Sequence, residues 1–472
     1  MSNLSANIKS IRDVMRRDTG VDGDAQRISQ MVWMIFLKIF SDKELNWKDE
    51  IDGYRSPIPE KFKWSNWAGE KGGLSGDELI EFINNELFPT LKSIEGGLNE
   101  QSSIVRSVFE DTYNYMKNGA LFRQVITEIN KIDFNLTAGS HVFNDIYENI
   151  LKELQSAGSS GEYYTPRAVT QFMVDVINPN LGESILDPAC GTGGFLTCSI
   201  DNVKLKTKDE NVNRILESTI NGVEKKPLPH LLCTTNLMLH DLSIPSIKRD
   251  NLLSKPFNNW TENDQFDIIL SNPPFGGLEE DGTESNFPIG YRTKETADLF
   301  MLLIIRLLKE NGRAAVVLPD GFLYGEGIRT KIKEELLSKC NLHTIVRLPH
   351  GVFNPYTNIN TNLLFFDRGA QTEYVWYYEH PYPENQKSYN KTRPINIKEF
   401  DAEKSWWTNR IETENAWKVS ISDIKKRNYN LDISSPYYGE DDIQLSSVEI
   451  IQKLEKSFDA SQKLLSALKL DM

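Results

Sequence analysis

The sequence predicts an α/β protein: a doubly wound, mostly parallel sheet, preceded by a helical N-terminal domain and followed by a C-terminal helix. Three observations predict it. First, the glycine-rich stretch Asp187-Pro188-Ala189-Cys190-Gly191-Thr192-Gly193-Gly194-Phe195 joins the short apolar run Glu183–Leu186 to a segment with helical potential, Leu196–Ile200. Strand, glycine turn and helix make the first crossover of a parallel nucleotide-binding sheet, and glycines let backbone approach a ligand closely. Second, apolar runs alternate with helical periodicity from 181 to 366, the pattern of a doubly wound sheet, here with an antiparallel end. Third, the strand Phe266–Ser271 runs directly into Asn272-Pro273-Pro274-Phe275. Two consecutive prolines stop a strand and stiffen its turn. They fix an amide and an aromatic ring at the carboxyl end of the sheet, where open α/β folds bind ligands.

Composition bounds the reading. A chain of 472 residues is too long for one compact core and suggests two or three domains. Apolar content of 39% and charged content of 25% are ordinary for a soluble globular protein. The apolar run Met31–Phe40 is about half a membrane span, and no basic-then-apolar leader opens the chain, so a cytoplasmic protein without a membrane partner is expected. Cys190, Cys198, Cys233 and Cys340 lack paired metal spacing and the six histidines are scattered, so neither a metal site nor structural disulfides are expected. The net charge of −14 argues against a protein that grips DNA alone by bulk electrostatics. A local basic groove, or a basic partner that supplies the phosphate contacts, remains compatible with it.

Residues 1 to about 155 read as helical. Asn7–Arg17 and Ala25–Phe40 carry apolar residues at helical spacing, Asp77–Leu87 begins with a cap, and Ser103–Lys117 and Val142–Leu154 add two more helices. Between them, Asp52–Gly76 is rich in Pro, Gly and Trp and reads as an irregular packed loop. Gln155–Gly161 is a linker by composition. Ala168–Ile177 is a helix, with Thr165 fitting the N-cap and Pro166 the first helical position. Ile215–Glu224 reads as the second strand, and an acidic residue at such a strand end, here Glu224, accepts hydrogen bonds from ribose hydroxyls. Pro229–Asp241 is a helix with Leu231, Leu232, Thr235 and Leu239 on a core-facing stripe. Asp250, in the turn after a short strand, is placed to meet the adenine amino group of a nucleotide cofactor.

Beyond Phe275, Gly276–Thr296 is acidic, glycine-rich and without periodicity, a length that marks a functional or disordered loop, and it is expected to be mobile until DNA or a partner arrives. Helix Ala297–Glu310, strand Gly312–Pro319, helix Glu326–Cys340 and strand Leu342–Leu348 follow. Phe353–Phe366 is expected to close the sheet as a hairpin around Tyr356–Thr361. Residues 370–430 hold one further strand, Glu373–Glu379. In the tail, Ile451, Leu454, Phe458, Leu465, Leu468 and Met472 recur at three- and four-residue spacing, with Ser461 the polar member. Such a narrow stripe needs another surface, because an isolated helix of this length is marginal in water.

The segment Glu162-Tyr163-Tyr164-Thr165-Pro166-Arg167, the glycine turn, and Asn272-Pro273-Pro274-Phe275, in that order, resemble the modification (methyltransferase) subunit of type I restriction–modification systems. That family methylates adenine N6 in DNA with S-adenosylmethionine. The likeness covers most of the chain and is most specific between 158 and 370. It implies a S-adenosylmethionine-dependent methyltransferase fold divided into a helical domain (1–157), a catalytic domain (158–370), its closing segment (371–440) and a partner-binding helix (441–472). It implies that Glu162, Tyr163, Tyr164, Thr165, Pro166, Arg167, Asp187, Gly191, Thr192, Gly193, Gly194, Glu224 and Asp250 hold the cofactor, and that Asn272, Pro273, Pro274 and Phe275 carry the chemistry. The implied partners are DNA, a specificity subunit shared by two modification subunits and met by the C-terminal end, and a restriction subunit in the full complex.

These residue types suit that chemistry. The adenine amino group is a poor nucleophile, because its lone pair is delocalised into the ring. Two acceptors facing its two N–H groups localise the pair, and the Asn272 side-chain oxygen and the Pro273 carbonyl are the candidates. A base inside a duplex must be flipped out, and Phe275 is the ring to stack on it. An RNA or protein-glutamine methyltransferase could use a similar turn for another planar amine or amide. A silent assembly subunit would not need the intact turn, and a dinucleotide oxidoreductase would have no role for it.

Overall fold

The computed structural model describes residues 2–69, 73–95, 99–132, 134, 165–276, 279–354, 357–384, 386–390 and 392–437. Val142–Leu154, the linker at 155–161, Glu162, Tyr163, Tyr164 and the tail from Ile451 lie outside them.

Among the described residues nine strands form one sheet: β1 Ile185–Asp187, β2 Ile220–Glu224, β3 Ser246–Arg249, β4 Phe266–Ser271, β5 Leu308–Pro319, β6 Cys340–Arg347, β7 Thr361–Arg368, β8 Tyr374–Glu379 and β9 Ala416–Ser420. Their order is β3-β2-β1-β4-β5-β7-β6-β8-β9. The first five are mutually parallel, and β7 runs antiparallel to both β5 and β6. The chain winds outward from β1 through β2 to β3, then returns to place β4 on the other side of β1, with Ile185 opposite Ile268 and Leu186 opposite Ile269. That reversal is the topological switch point of a doubly wound sheet, where a crevice opens beyond the carboxyl strand ends. Both sequence-predicted turns emerge there, one from β1 and one from β4.

Several expectations are corrected. Val212–Thr219 is helical and only Ile220–Glu224 is strand; Leu216 is buried by the helix, so local apolar content did not distinguish the two states. Phe353–Phe366 is not a closing hairpin: β7 inserts between β5 and β6, and β8 and β9 extend the sheet beyond it. The region after residue 370 therefore contributes two strands rather than one. Helix Gly119–Asn130, which the sequence reading missed, is capped by the Asn118 side chain accepting from the backbone N–H of Ala120 and Leu121, both at 3.0 Å.

The N-terminal helices enclose their own apolar core, in which Trp33 meets Phe88, Phe109 and Phe122 at ring-centroid distances of 5.0, 6.3 and 6.0 Å. Helix Asp24–Glu50 runs through it. Leu231, Leu232 and Met238 of helix Pro227–Leu239 also belong to this core, whereas Cys233 and Leu237 of the same helix belong to the core beneath the sheet. The stripe expected to face a core thus faces that of the N-terminal helices. Trp47 Nε1 donates to Ser243 Oγ at 2.8 Å, and Arg249 pairs with Asp111 at 2.7 Å, so polar ties cross the same junction. Among the described residues no helix is long and apolar enough to cross a membrane.

Candidate active site at the switch point

The turn after β1 is built to keep side chains away. Gly191 and Gly193 hold φ of +52° and +84°, the left-handed region that favours glycine. A Cβ on Gly191 would meet nothing within 4 Å, so this glycine borders open space. A Cβ on Gly193 would lie 2.8 Å from Cys233 Sγ, so that glycine is required by packing. Gly194 begins helix Gly194–Lys206, which has no side-chain cap at its N-terminus. The Thr192 carbonyl accepts from Asn236 Nδ2 at 3.3 Å. Cys233 and Asn236, on the helix that joins both cores, are supports of the turn that the sequence reading missed.

The acidic candidates converge on this turn. Glu224, at the end of β2, accepts from the Gly191 N–H at 2.9 Å and the Lys226 N–H at 2.7 Å, so backbone donors orient its carboxylate. Asp250 is exposed beyond β3; its N–H donates to the Glu224 carbonyl at 3.2 Å, which ties the two strand ends together. Asp187, at the end of β1, is buried, and its Oδ1 accepts from the Ala189 N–H at 3.2 Å. Burial pushes its carboxyl up to about 8, the nearby Glu224 adds to the rise, and the Ala189 N–H opposes it.

Asn272 extends from β4 beside that turn and is 8% exposed. Its Nδ2 donates to Thr165 Oγ1 at 2.8 Å, while its Oδ1 is buried and has no hydrogen-bond partner. Thr165 is therefore not the helix cap that the sequence suggested. Helix Arg167–Ile177 starts with Pro166 at the N-cap position and no side-chain cap, and the Thr165 hydroxyl instead fixes the amide across the crevice. Arg167 reaches the helix after the glycine turn, donating to Thr197 Oγ1 at 2.8 Å and Asp201 Oδ2 at 3.1 Å. Pro273 is buried and Pro274 half-buried. The Phe275 ring is packed in the core beneath the sheet, so in this conformation it is not displayed to solvent.

The segment after Phe275, expected to be mobile, is anchored at its far end. Phe287 is buried against Phe257 at a ring distance of 5.7 Å, and Asn286 Nδ2 donates to the carbonyls of Leu253 and Ser254, each at 3.0 Å.

The arrangement fits a nucleotide-type cofactor. A turn bordered by open space, a helix N-terminus, an oriented carboxylate at the second strand end and a buried acid at the first all face one crevice, beside an amide oxygen that lacks a partner. Among the described residues no three His, Cys, Asp or Glu side chains converge as a metal site.

Fold and site together define a doubly wound α/β protein with its candidate site at the switch point of the sheet. The family model for N-6 DNA methylases matches residues 109–444, and that of the HsdM N-terminal domain matches residues 4–129. The chain is 56% identical, over 93% of its length and 91% of the relative's, to the EcoEI type I restriction enzyme methylase subunit of Escherichia coli. Its fold is similar to that of a modification subunit of a putative type I restriction enzyme from Vibrio vulnificus YJ016, with TM-score 0.84 and 43% identity, covering 94% of this chain and 98% of that one. A second solved structure, from work on complex assembly and conformational transition of the type I restriction–modification system, has TM-score 0.82 and 32% identity, covering 99% and 98%. The chain belongs to the N-6 DNA methylase family and, within it, to the type I restriction enzyme methylase subunits.

Proposed function

We propose that the chain transfers a methyl group from S-adenosylmethionine to the exocyclic N6 of a flipped-out adenine in DNA, as the modification subunit of a type I restriction–modification complex. The observation that carries this reading is Asn272, whose buried Oδ1 lacks a partner while its Nδ2 is pinned by Thr165. The pinning leaves the oxygen, not the NH2, to face an incoming amino group. Asn272→Ala should lower methyl transfer to DNA by roughly 10²-fold or more, the loss seen when a preorganised hydrogen-bonding group is removed, with cofactor affinity little changed. Unchanged turnover would refute the assignment.

When bound, the cofactor supplies an electrophilic methyl group on a positively charged sulfur. The chain's residues place and polarise. Glu224 orients the ribose, Asp250 meets the adenine of the cofactor, and the Gly191–Gly194 turn admits its chain without steric conflict. Thr165, Pro166 and Arg167 belong to the same site, and the family resemblance assigns Glu162, Tyr163 and Tyr164 to it as well. A cation near Asp187 favours its ionised form, so cofactor affinity should rise with pH up to about 8. Asn272 Oδ1 accepts one amino N–H of the target and the Pro273 carbonyl the other, localising the lone pair on nitrogen. The methylated amine is acidic enough to lose its proton to water. Phe275 stacks on the target base at about 1–3 kcal/mol, which requires the ring to be uncovered when DNA binds.

The acidic chain does not read DNA alone: a specificity subunit reads the sequence, two modification subunits sharing one such subunit, and a restriction subunit completes the complex. The tail stripe docks on helices of the specificity subunit. Phe458→Asp with Leu465→Asp should abolish assembly and DNA methylation while cofactor binding persists. Co-purification and normal methylation by that double variant would contradict the docking. We divide the chain accordingly, into helical domain 1–157, catalytic domain 158–370, closing segment 371–440 and partner helix 441–472, working in the cytoplasm.

A further inference from the structure

The segment that follows the Asn-Pro-Pro-Phe turn is held unequally at its two ends. It leaves Phe275 through Gly276, whose φ of +63° and open Cβ position suit a pivot. At its far end Phe287 is buried in the core and Asn286 holds two carbonyls of the turn after β3. At its near end the ties are polar. The Glu279 carboxylate, with a side chain 11% exposed, accepts from Asn251 Nδ2 at 2.9 Å and from Lys225 Nζ at 3.2 Å. Glu280 adds a second contact to Lys225 at 3.3 Å. Lys225 directly follows Glu224 and Asn251 directly follows Asp250, so Glu279 bridges the two strand ends assigned to the ribose and the adenine of the cofactor.

We propose that Glu279 latches this segment over the adenosine end of the cofactor pocket and so limits the rate at which cofactor leaves; this rests on the pocket assignment above. Ion pairs to the half-exposed Lys225 break more readily than a buried aromatic anchor, so the near end opens while the far end holds. Glu279 is thus a positioning residue, acting through Lys225 and Asn251. It also links cofactor occupancy to the turn that carries Asn272, because the latched segment begins at that turn.

The test is dissociation of S-adenosylmethionine from the complex with the specificity subunit, followed by rapid mixing with excess competitor. Glu279→Gln, which keeps an acceptor for Asn251 but loses the charge facing Lys225, should speed dissociation by roughly two- to fivefold. Association and kcat at saturating cofactor should stay near wild type. Raising the ionic strength should speed dissociation from the wild type toward the Glu279→Gln rate and leave Glu279→Gln itself little changed. Gly191→Val and Glu224→Ala serve as controls. If both bind cofactor with wild-type affinity, the pocket assignment fails. If they weaken binding while Glu279→Gln dissociates at the wild-type rate, the pocket stands and the latch is overturned. Fast dissociation from Glu279→Gln that responds to salt just as the wild type does would also overturn it, leaving Glu279 a strut of the fold.

Discussion

Replacing Thr165 by Val removes one hydroxyl and keeps the side-chain shape. In the structure that hydroxyl is the acceptor for Asn272 Nδ2 at 2.8 Å, and the Asn272 oxygen has no partner to hold the amide in its place. Without Thr165 Oγ1 the amide loses the contact that distinguishes its two ends, and a half-turn would aim NH2 at an incoming amino group. Losing one such hydrogen bond costs about 0.5–1.5 kcal/mol, and leaving a buried donor unsatisfied about 1–3 kcal/mol. Methyl transfer should therefore slow by roughly ten- to a hundredfold, less than the loss from Asn272→Ala. Because both residues act through one amide, the double variant should be no slower than Asn272→Ala alone. Single-turnover methylation with cofactor and DNA saturating measures this directly. A Thr165→Val enzyme with wild-type rate, or a double variant whose losses multiply, would refute the pinned-amide account.

The glycine turn separates binding from folding: Gly191→Val, whose Cβ points into open space, should weaken cofactor binding severely at about 1–2 kcal/mol of backbone strain, whereas Gly193→Val collides with Cys233 and should lower Tm first; calorimetry and thermal melts distinguish them. Asp187 has an ordinary value of 3.8 and is pushed up to about 8 in the fold, so the native state binds the extra proton between these pH values. Its stabilisation is complete below pH 3.8, declines as pH rises toward 8 and then levels off, and urea titrations should show that decline in the wild type but not in Asp187→Asn. Leu232→Asp would bury an unpaired charge in the core formed by the N-terminal helices and should cost several kcal/mol, so a variant melting like the wild type would contradict that junction.

The site was legible where local chemistry dictates it. Consecutive prolines end β4 whatever surrounds them, and glycines at positive φ mark the turn after β1, so both turns and their position at the sheet's carboxyl edge followed from sequence. What was not legible depends on distant partners. Thr165 satisfies every local rule for a helix cap, yet its hydroxyl goes to Asn272, a contact between residues far apart in sequence. The apolar stripe of helix Pro227–Leu239 was visible, but not that a second core would claim it. Strand β7 is apolar enough to be recognised, while its place between β5 and β6 is set by pairing that no single segment encodes. Helix Gly119–Asn130 is a different miss: its cap Asn118 and the spacing of Phe122, Val125, Ile126 and Ile129 were there to be read.

The central claim is the identity of the acceptor atom. The chain assembled with its specificity subunit, supplied with radiolabelled S-adenosylmethionine and duplex DNA carrying the target, should place label on DNA as N6-methyladenine after nucleoside digestion, and Asn272→Ala should all but abolish it. Label recovered on cytosine, on RNA or on protein glutamine, or label on adenine that survives loss of Asn272, would contradict the account.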